Sequence, residues 1–245
     1  RKNLYRSDGA AIAYHKSEGC QPGVVFLGGF MSDMEGTKAV ALETHCQKQG
    51  RAYLRFDYQG HGQSSGAFTD GTIESWSEDA LYAIDQLTSG PQILVGSSMG
   101  GWIMMLVALA RPSRIAGLVG IAAAPDFTES LMWKRFPTEI KKILIRDKIY
   151  YQPSEFSDSP YPITLNLIEN GRKHLLLKEP LDIRCPVHLL QGIKDESVPW
   201  QHAIEISRAL LSEGITITLI KDGDHRLSRD TDLKKIFAAV DSFAI

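Results

Sequence analysis

The chain has 245 residues, 43% of them hydrophobic and 23% charged, with a formal net charge of −2 at pH 7. That balance suits a globular chain with a sizeable core and supplies no general electrostatic pull toward nucleic acid or an anionic membrane surface. Its three cysteines, Cys20, Cys46 and Cys185, are too few and too scattered for a disulfide framework or a metal spacing, so a reducing, cytoplasmic setting without metal is expected. The chain opens on RKNLYRSDG, which lacks the basic-then-apolar pattern of a secretory leader. It also lacks an initiator Met, and a mitochondrial matrix location after loss of a targeting segment is the alternative. The longest apolar stretch, Trp102 to Ala110, is about half a membrane span and predicts a buried helix rather than membrane insertion.

In chain order, NLYRSDGAAIAYHK predicts a hairpin turning at Asp8-Gly9, and GVVFLGG a strand buried on both faces. A helix from about Glu35 to Gln49 follows, then the strand RAYLRFDY and a helix over IESWSEDALYAIDQL. Next come the strand QILVG, a helix from about Met99 to Ala110 stopped near Pro112, and the buried strand IAGLVGIAAA. The alternation resumes with CPVHLLQG as strand, HAIEISRALLSE as helix, TITLIK as strand and LKKIFAAVDSFA as the last helix. Strands alternating with helices predict one α/β domain over residues 1–245, its sheet largely parallel and covered on both faces. Residues 126–183 break the pattern. They hold two helical pieces, EIKKILIRDKIYY and LNLIENGRKHLLL, around the Pro- and Ser-rich QPSEFSDSPYPI, and predict a small cap inserted into the domain.

The chemistry begins at Gly96-Ser97-Ser98-Met99-Gly100, which fits G-x-S-x-G with Ser98 at its centre. A strand that turns sharply into a helix crowds the positions two residues either side of the central one, so glycines are needed there. Ser97 is the rival nucleophile, but its flanking glycines are placed asymmetrically. A serine hydroxyl needs a base, and in this chain order an acid and then a histidine follow the nucleophile. Among the later histidines, His174 falls in the insertion, His188 inside a strand and His202 near a helix start. His225, in the polar loop KDGDHRLS between the last strand and the last helix, is the candidate base. Asp195, at the C-terminal end of the strand over CPVHLLQG, is the preferred acid to orient the imidazole, with Asp126 as the alternative. The oxyanion of acyl transfer requires N–H donors, for which Met99 and, in the loop GGFMSD, Phe30 are the candidates. FDYQGHGQSSG, with glycines at 60, 62 and 66, matches no phosphate-binding motif and predicts a tight turn stabilised by Asp57 and Ser64.

These stretches together resemble the α/β-hydrolase family over nearly the whole chain. GGFMSDMEGTKA, LRFDYQGHGQSSG, GPQILVGSSMGGW, GIKDESVPW and DGDHRL are most similar to a mitochondrial α/β-hydrolase-domain group of palmitoyl-protein thioesterases and acyl-glucuronide esterases. The resemblance implies the α/β-hydrolase fold, the triad Ser98, Asp195 and His225, and no cofactor. Many family members have His-Gly where this chain has Gly28-Gly29, a departure from the family pattern that falls on the oxyanion loop and leaves its supporting contacts open. The resulting expectation is a serine hydrolase cleaving a carboxylic ester or thioester, small or protein-borne, through an acyl-enzyme. A non-catalytic ligand-binding module, or a C–C or amide hydrolase with the same triad, are the alternatives. Leu131, Met132, Trp133, Ile149, Tyr150 and Tyr151 are candidates either to line an acyl pocket or simply to pack the cap.

Overall fold

The computed structural model describes residues 1–154 and 157–243. Glu155 and Phe156 of the Pro- and Ser-rich stretch, and Ala244 of the predicted last helix, lie outside the described residues. The chain opens with strands β1 (Lys2–Tyr5), β2 (Ala11–Ser17) and β3 (Cys20–Leu27), followed by helix α1 (Thr37–Lys48) and strand β4 (Arg51–Phe56). Helix α2 (Ile73–Leu87), β5 (Gln92–Ser97), α3 (Met99–Ala110) and β6 (Ile115–Ile121) come next. The chain then leaves the sheet for a π-helical turn, Thr128–Trp133, α4 (Thr138–Asp147), a hairpin of β7 (Ile149–Gln152) and β8 (Tyr161–Thr164), and α5 (Leu165–Arg172). It returns as β9 (Val187–Gly192), α6 (Gln201–Ala209), β10 (Ile215–Ile220) and α7 (Asp230–Asp241).

The main sheet runs β1-β2-β4-β3-β5-β6-β9-β10, antiparallel at β1/β2 and β2/β4 and parallel from β4 onward. The continuous apolar runs of the central strands are explained by the two faces they serve. Val25, Leu27, Leu94, Leu118 and Leu189 pack in one core with Trp76, Trp102 and Ile206 of α2, α3 and α6. Val24, Phe26, Ile93, Val95 and Val119 pack in the other with Leu42, Ile236 and Val240 of α1 and α7. Successive side chains point to opposite faces, so a strand covered on both sides has no polar position to spare.

The N-terminal hairpin turns where Gly9 adopts φ +87° and donates to Arg6 O at 3.0 Å. The helix expected over EIKKILIRDKIYY is shorter than its sequence suggests. Lys148 adopts φ +66° and donates to Leu144 O at 3.0 Å, closing α4. Ile149, Tyr150 and Tyr151, β-branched and aromatic, then pair with Pro162, Ile163 and Thr164 as a hairpin.

Candidate active site

Ser98 separates β5 from α3 at φ +53° and ψ −114°, a region L-residues avoid at a cost of about 1–3 kcal/mol. Three backbone bonds hold it there. Its N–H donates to Ile121 O at 2.9 Å, and its carbonyl accepts from Gly101 N at 2.8 Å and Ala124 N at 3.0 Å. The glycine spacing follows from the same turn. A Cβ on Gly96 would run into the carbonyl of Gly100, and one on Gly100 into the carbonyl of Leu27. Ser97 is the last residue of β5, paired with Ile121 and buried, and it shares none of this geometry.

The loops after β9 and β10 bring Asp195 and His225 together. Gly192 makes this possible, because its Cα lies where a Cβ would strike Gly223 O, and Lys194 N donates to that carbonyl at 3.0 Å. His225 Nδ1 is 2.8 Å from Asp195 Oδ2. An ionised carboxylate only accepts, so Nδ1 carries the hydrogen and Nε2 is the basic nitrogen of the neutral ring. The Asp195 side chain is fully buried, and its Oδ1 accepts from Ser197 N at 2.9 Å and Val198 N at 2.8 Å. The alternative acid, Asp126, is occupied elsewhere. It sits at φ +62° where the chain enters the insertion, and its two oxygens accept from Leu176 N at 2.7 Å and Leu177 N at 2.9 Å. Burial pushes its carboxyl above the usual range.

Ser98 and His225 line one cleft of about 840 Å³. Phe30, Phe127, Leu131, Met132, Phe136 and Val198 give it apolar walls, while Asp33, Lys38, Arg135, Glu196 and Arg226 contribute charge. Of the aromatic and apolar candidates in the insertion, only Leu131 and Met132 reach the cleft. Trp133 instead carries Lys141 and Arg172 over its ring, at 5.5 and 4.8 Å from the centroid. Ile149 is half-buried in the hairpin, Tyr150 packs against Phe136, and Tyr151 is exposed.

The loop after β3 lies directly beside Ser98: a Cβ on Gly29 would be 3.6 Å from that of Ser98. Phe30 lines the cleft, whereas the side chain of Met99 is fully buried, so only its backbone could serve a ligand. Among the described residues, neither Phe30 N nor Met99 N donates to a protein acceptor. In place of the His-Gly pattern, the loop leans on the turn after β4. Tyr58 Oη donates to Gly28 O at 3.2 Å, Asp57 Oδ1 accepts from Met34 N at 2.7 Å, and Arg55 donates to Met34 O at 2.8 Å. That turn has the role its composition predicts. Asp57 Oδ2 accepts from Gln63 N, Ser64 Oγ donates to Asp57 O, and Gly62 at φ +47° leaves no room for a Cβ beside the Asp57 carboxylate.

The other histidines that follow Ser98 do not line the cleft. His202 bonds Pro125 O, His188 bonds Thr218, and His174 lies 3.9 Å from Glu74. His61 is buried among Tyr58, Phe68 and Trp76, and burial lowers its pKa to about 4. Among the described residues no cluster of side chains is suited to a metal ion, and no helix is long and apolar enough to cross a membrane.

A strand-to-helix serine, a carboxylate-imidazole pair on later loops and a mostly parallel eight-stranded sheet define a class, and the chain belongs to it: it is a member of the α/β-hydrolase fold family, whose model matches residues 22–150. Its relatives narrow the position. It is 39% identical over 239 residues to the mitochondrial palmitoyl-protein thioesterase ABHD10 of Bos taurus, covering 97% of this chain and 78% of the relative. The structure of alpha/beta hydrolase domain-containing protein 10 from mouse superposes with a TM-score of 0.91 at 37% identity, covering 98% of this chain and 96% of that one. A putative hydrolase from Agrobacterium vitis S4 superposes with a TM-score of 0.94 at 38% identity, covering 99% and 97%. The ABHD10 relatives are named as mitochondrial, which agrees with the alternative expectation and gives no support to a cytoplasmic one.

Proposed function

We propose that the protein is a serine hydrolase of carboxylic esters and thioesters, acting through an acyl-enzyme on Ser98. The 2.8 Å contact between Asp195 and His225, opening into the cleft that Ser98 lines, carries this reading. Ser98 Oγ attacks the carbonyl carbon while His225 Nε2 takes its proton and Asp195 stabilises the imidazolium. The N–H groups of Phe30 and Met99 receive the oxyanion, a contribution of roughly 100- to 1,000-fold in rate for one donor. His225 returns the proton to the departing alcohol or thiol, and a water molecule, deprotonated in turn by His225, releases the acid and restores Ser98. The chemistry needs no cofactor.

The relatives' name makes acyl-protein thioesters the first substrates to test, and the apolar cleft walls suit an acyl chain. We take residues 126–183 as a cap that shapes this cleft, and a mitochondrial compartment from the same relatives. A fluorophosphonate probe tests the assignment. Wild-type protein becomes labelled and hydrolyses acyl-thioesters, and Ser98→Ala does neither while keeping its melting temperature within a few degrees. Absence of labelling in folded wild type would return the chain to a binding module.

A further inference from the structure

Among the described residues the buried carboxylate of Asp195 has one side-chain donor besides His225, and nothing in the motif draws attention to it. Gln191 lies in β9, four residues before Asp195, and is 1% exposed. Its Nε2 donates to Asp195 Oδ2 at 3.0 Å and to Val198 O at 3.1 Å, with Gly192 O more distant at 3.4 Å. Since the groups facing it are all acceptors, the amide has its nitrogen on this side. Asp195 Oδ1 is held by two backbone N–H groups. The Gln191 bond falls on Oδ2, the oxygen that receives the His225 hydrogen.

We infer that Gln191 is a positioning residue for hydrolysis: it fixes the direction of Asp195 Oδ2 toward His225 and draws off part of its charge. The inference rests on the proposed triad. The two shorter bonds of the amide go to Asp195 and to Val198, so the side chain clamps the carboxylate to the turn that ends at Val198. With Oδ2 shared between Gln191 and His225, the carboxylate does not bind the imidazolium so tightly that the proton is kept from the leaving group.

Gln191→Met keeps the volume and removes the donor. Rates are taken per active site, counted by fluorophosphonate titration, so that loss of folded protein does not enter. The expected result is a fall in kcat of about tenfold, the scale of one hydrogen bond to a charged group, with KM within about twofold. The acid limb of kcat/KM moves to higher pH, because Oδ2 with one donor fewer stabilises the imidazolium more. A purely structural role lowers the melting temperature and leaves that limb where it was. Gln191→Glu, nearly isosteric, sets two carboxyls on one site. They share a proton at low pH, and activity falls as pH rises and the second ionises, a basic limb added to the wild-type profile. Wild-type kcat and pH limbs in both variants overturn the inference. Wild-type turnover in Ser98→Ala instead removes the triad reading itself.

Discussion

At the scale of single residues, the site depends on where Cβ atoms are allowed. Ser98 carries one in a left-handed conformation, and Gly96 and Gly100 must not carry one at all. Gly28, two residues before the proposed oxyanion donor Phe30, differs: its φ is not positive and a Cβ there would meet nothing within 4 Å. Two alanine substitutions, one in the first turn of α3 and one in the loop after β3, should therefore separate. Gly100→Ala forces α3 away from Leu27 O and should lower stability by at least about 1–3 kcal/mol, the usual cost of overpacking, and abolish probe labelling. Gly28→Ala should melt within a few degrees of wild type and stay labelled. A thermal melt with labelling of each variant checks both. The spacing around Ser98 was legible in the sequence because the pattern itself spans five consecutive residues, although the obstacle at Gly100 is the carbonyl of Leu27 in β3. The sequence preferred Asp195 over Asp126 although both follow core strands, and of the two only Asp195 lies against His225.

At the scale of elements, the turn after β4 supports the loop beside Ser98 through Asp57 and Tyr58, and it contains His61. That histidine has a Nε2 without a hydrogen-bond partner among the described residues and sits in an aromatic cluster. Its folded pKa near 4 lies below its ordinary 6.5, so between these values the unfolded chain binds a proton that the folded one refuses. The contribution to stability is therefore complete above about pH 6.5 and is lost progressively as pH falls toward 4, by about 3 kcal/mol in all. His61→Phe should flatten that acid limb in urea denaturation measured from pH 4 to 7. An unchanged limb would place the acid sensitivity elsewhere. The sequence predicted this turn correctly but not its service to the loop after β3, because the two meet only through the β3/β4 pairing. The β7/β8 hairpin was illegible for a related reason: a helical pattern ran on into Ile149, and a left-handed Lys148 has no sequence signature.

At the scale of the whole molecule, the loops after β3, β5, β9 and β10 converge on one cleft, at the C-terminal ends of parallel strands. Gln191 escaped the sequence reading because a single polar residue near a strand's end looks like a solvent-facing position, whereas here both faces are covered. The chain also leaves the sheet between β6 and β9 and returns a wall to that same cleft, and Phe30 is where wall and loop meet. Its ring packs edge-on against Phe127 at 5.7 Å and Tyr161 at 6.0 Å from the insertion, and against Phe68 at 5.0 Å from the segment before α2. Its backbone is the proposed oxyanion donor. On the proposed mechanism one residue joins the cleft wall to the reacting carbonyl, and an acyl chain that fills the cleft would press on the ring that precedes the oxyanion donor. Chain length should then register in turnover as well as in affinity: kcat rises along an acyl series, and Phe30→Leu levels kcat while KM still falls. On this view the aromatic packing works as a gauge of whether the right cargo is aboard.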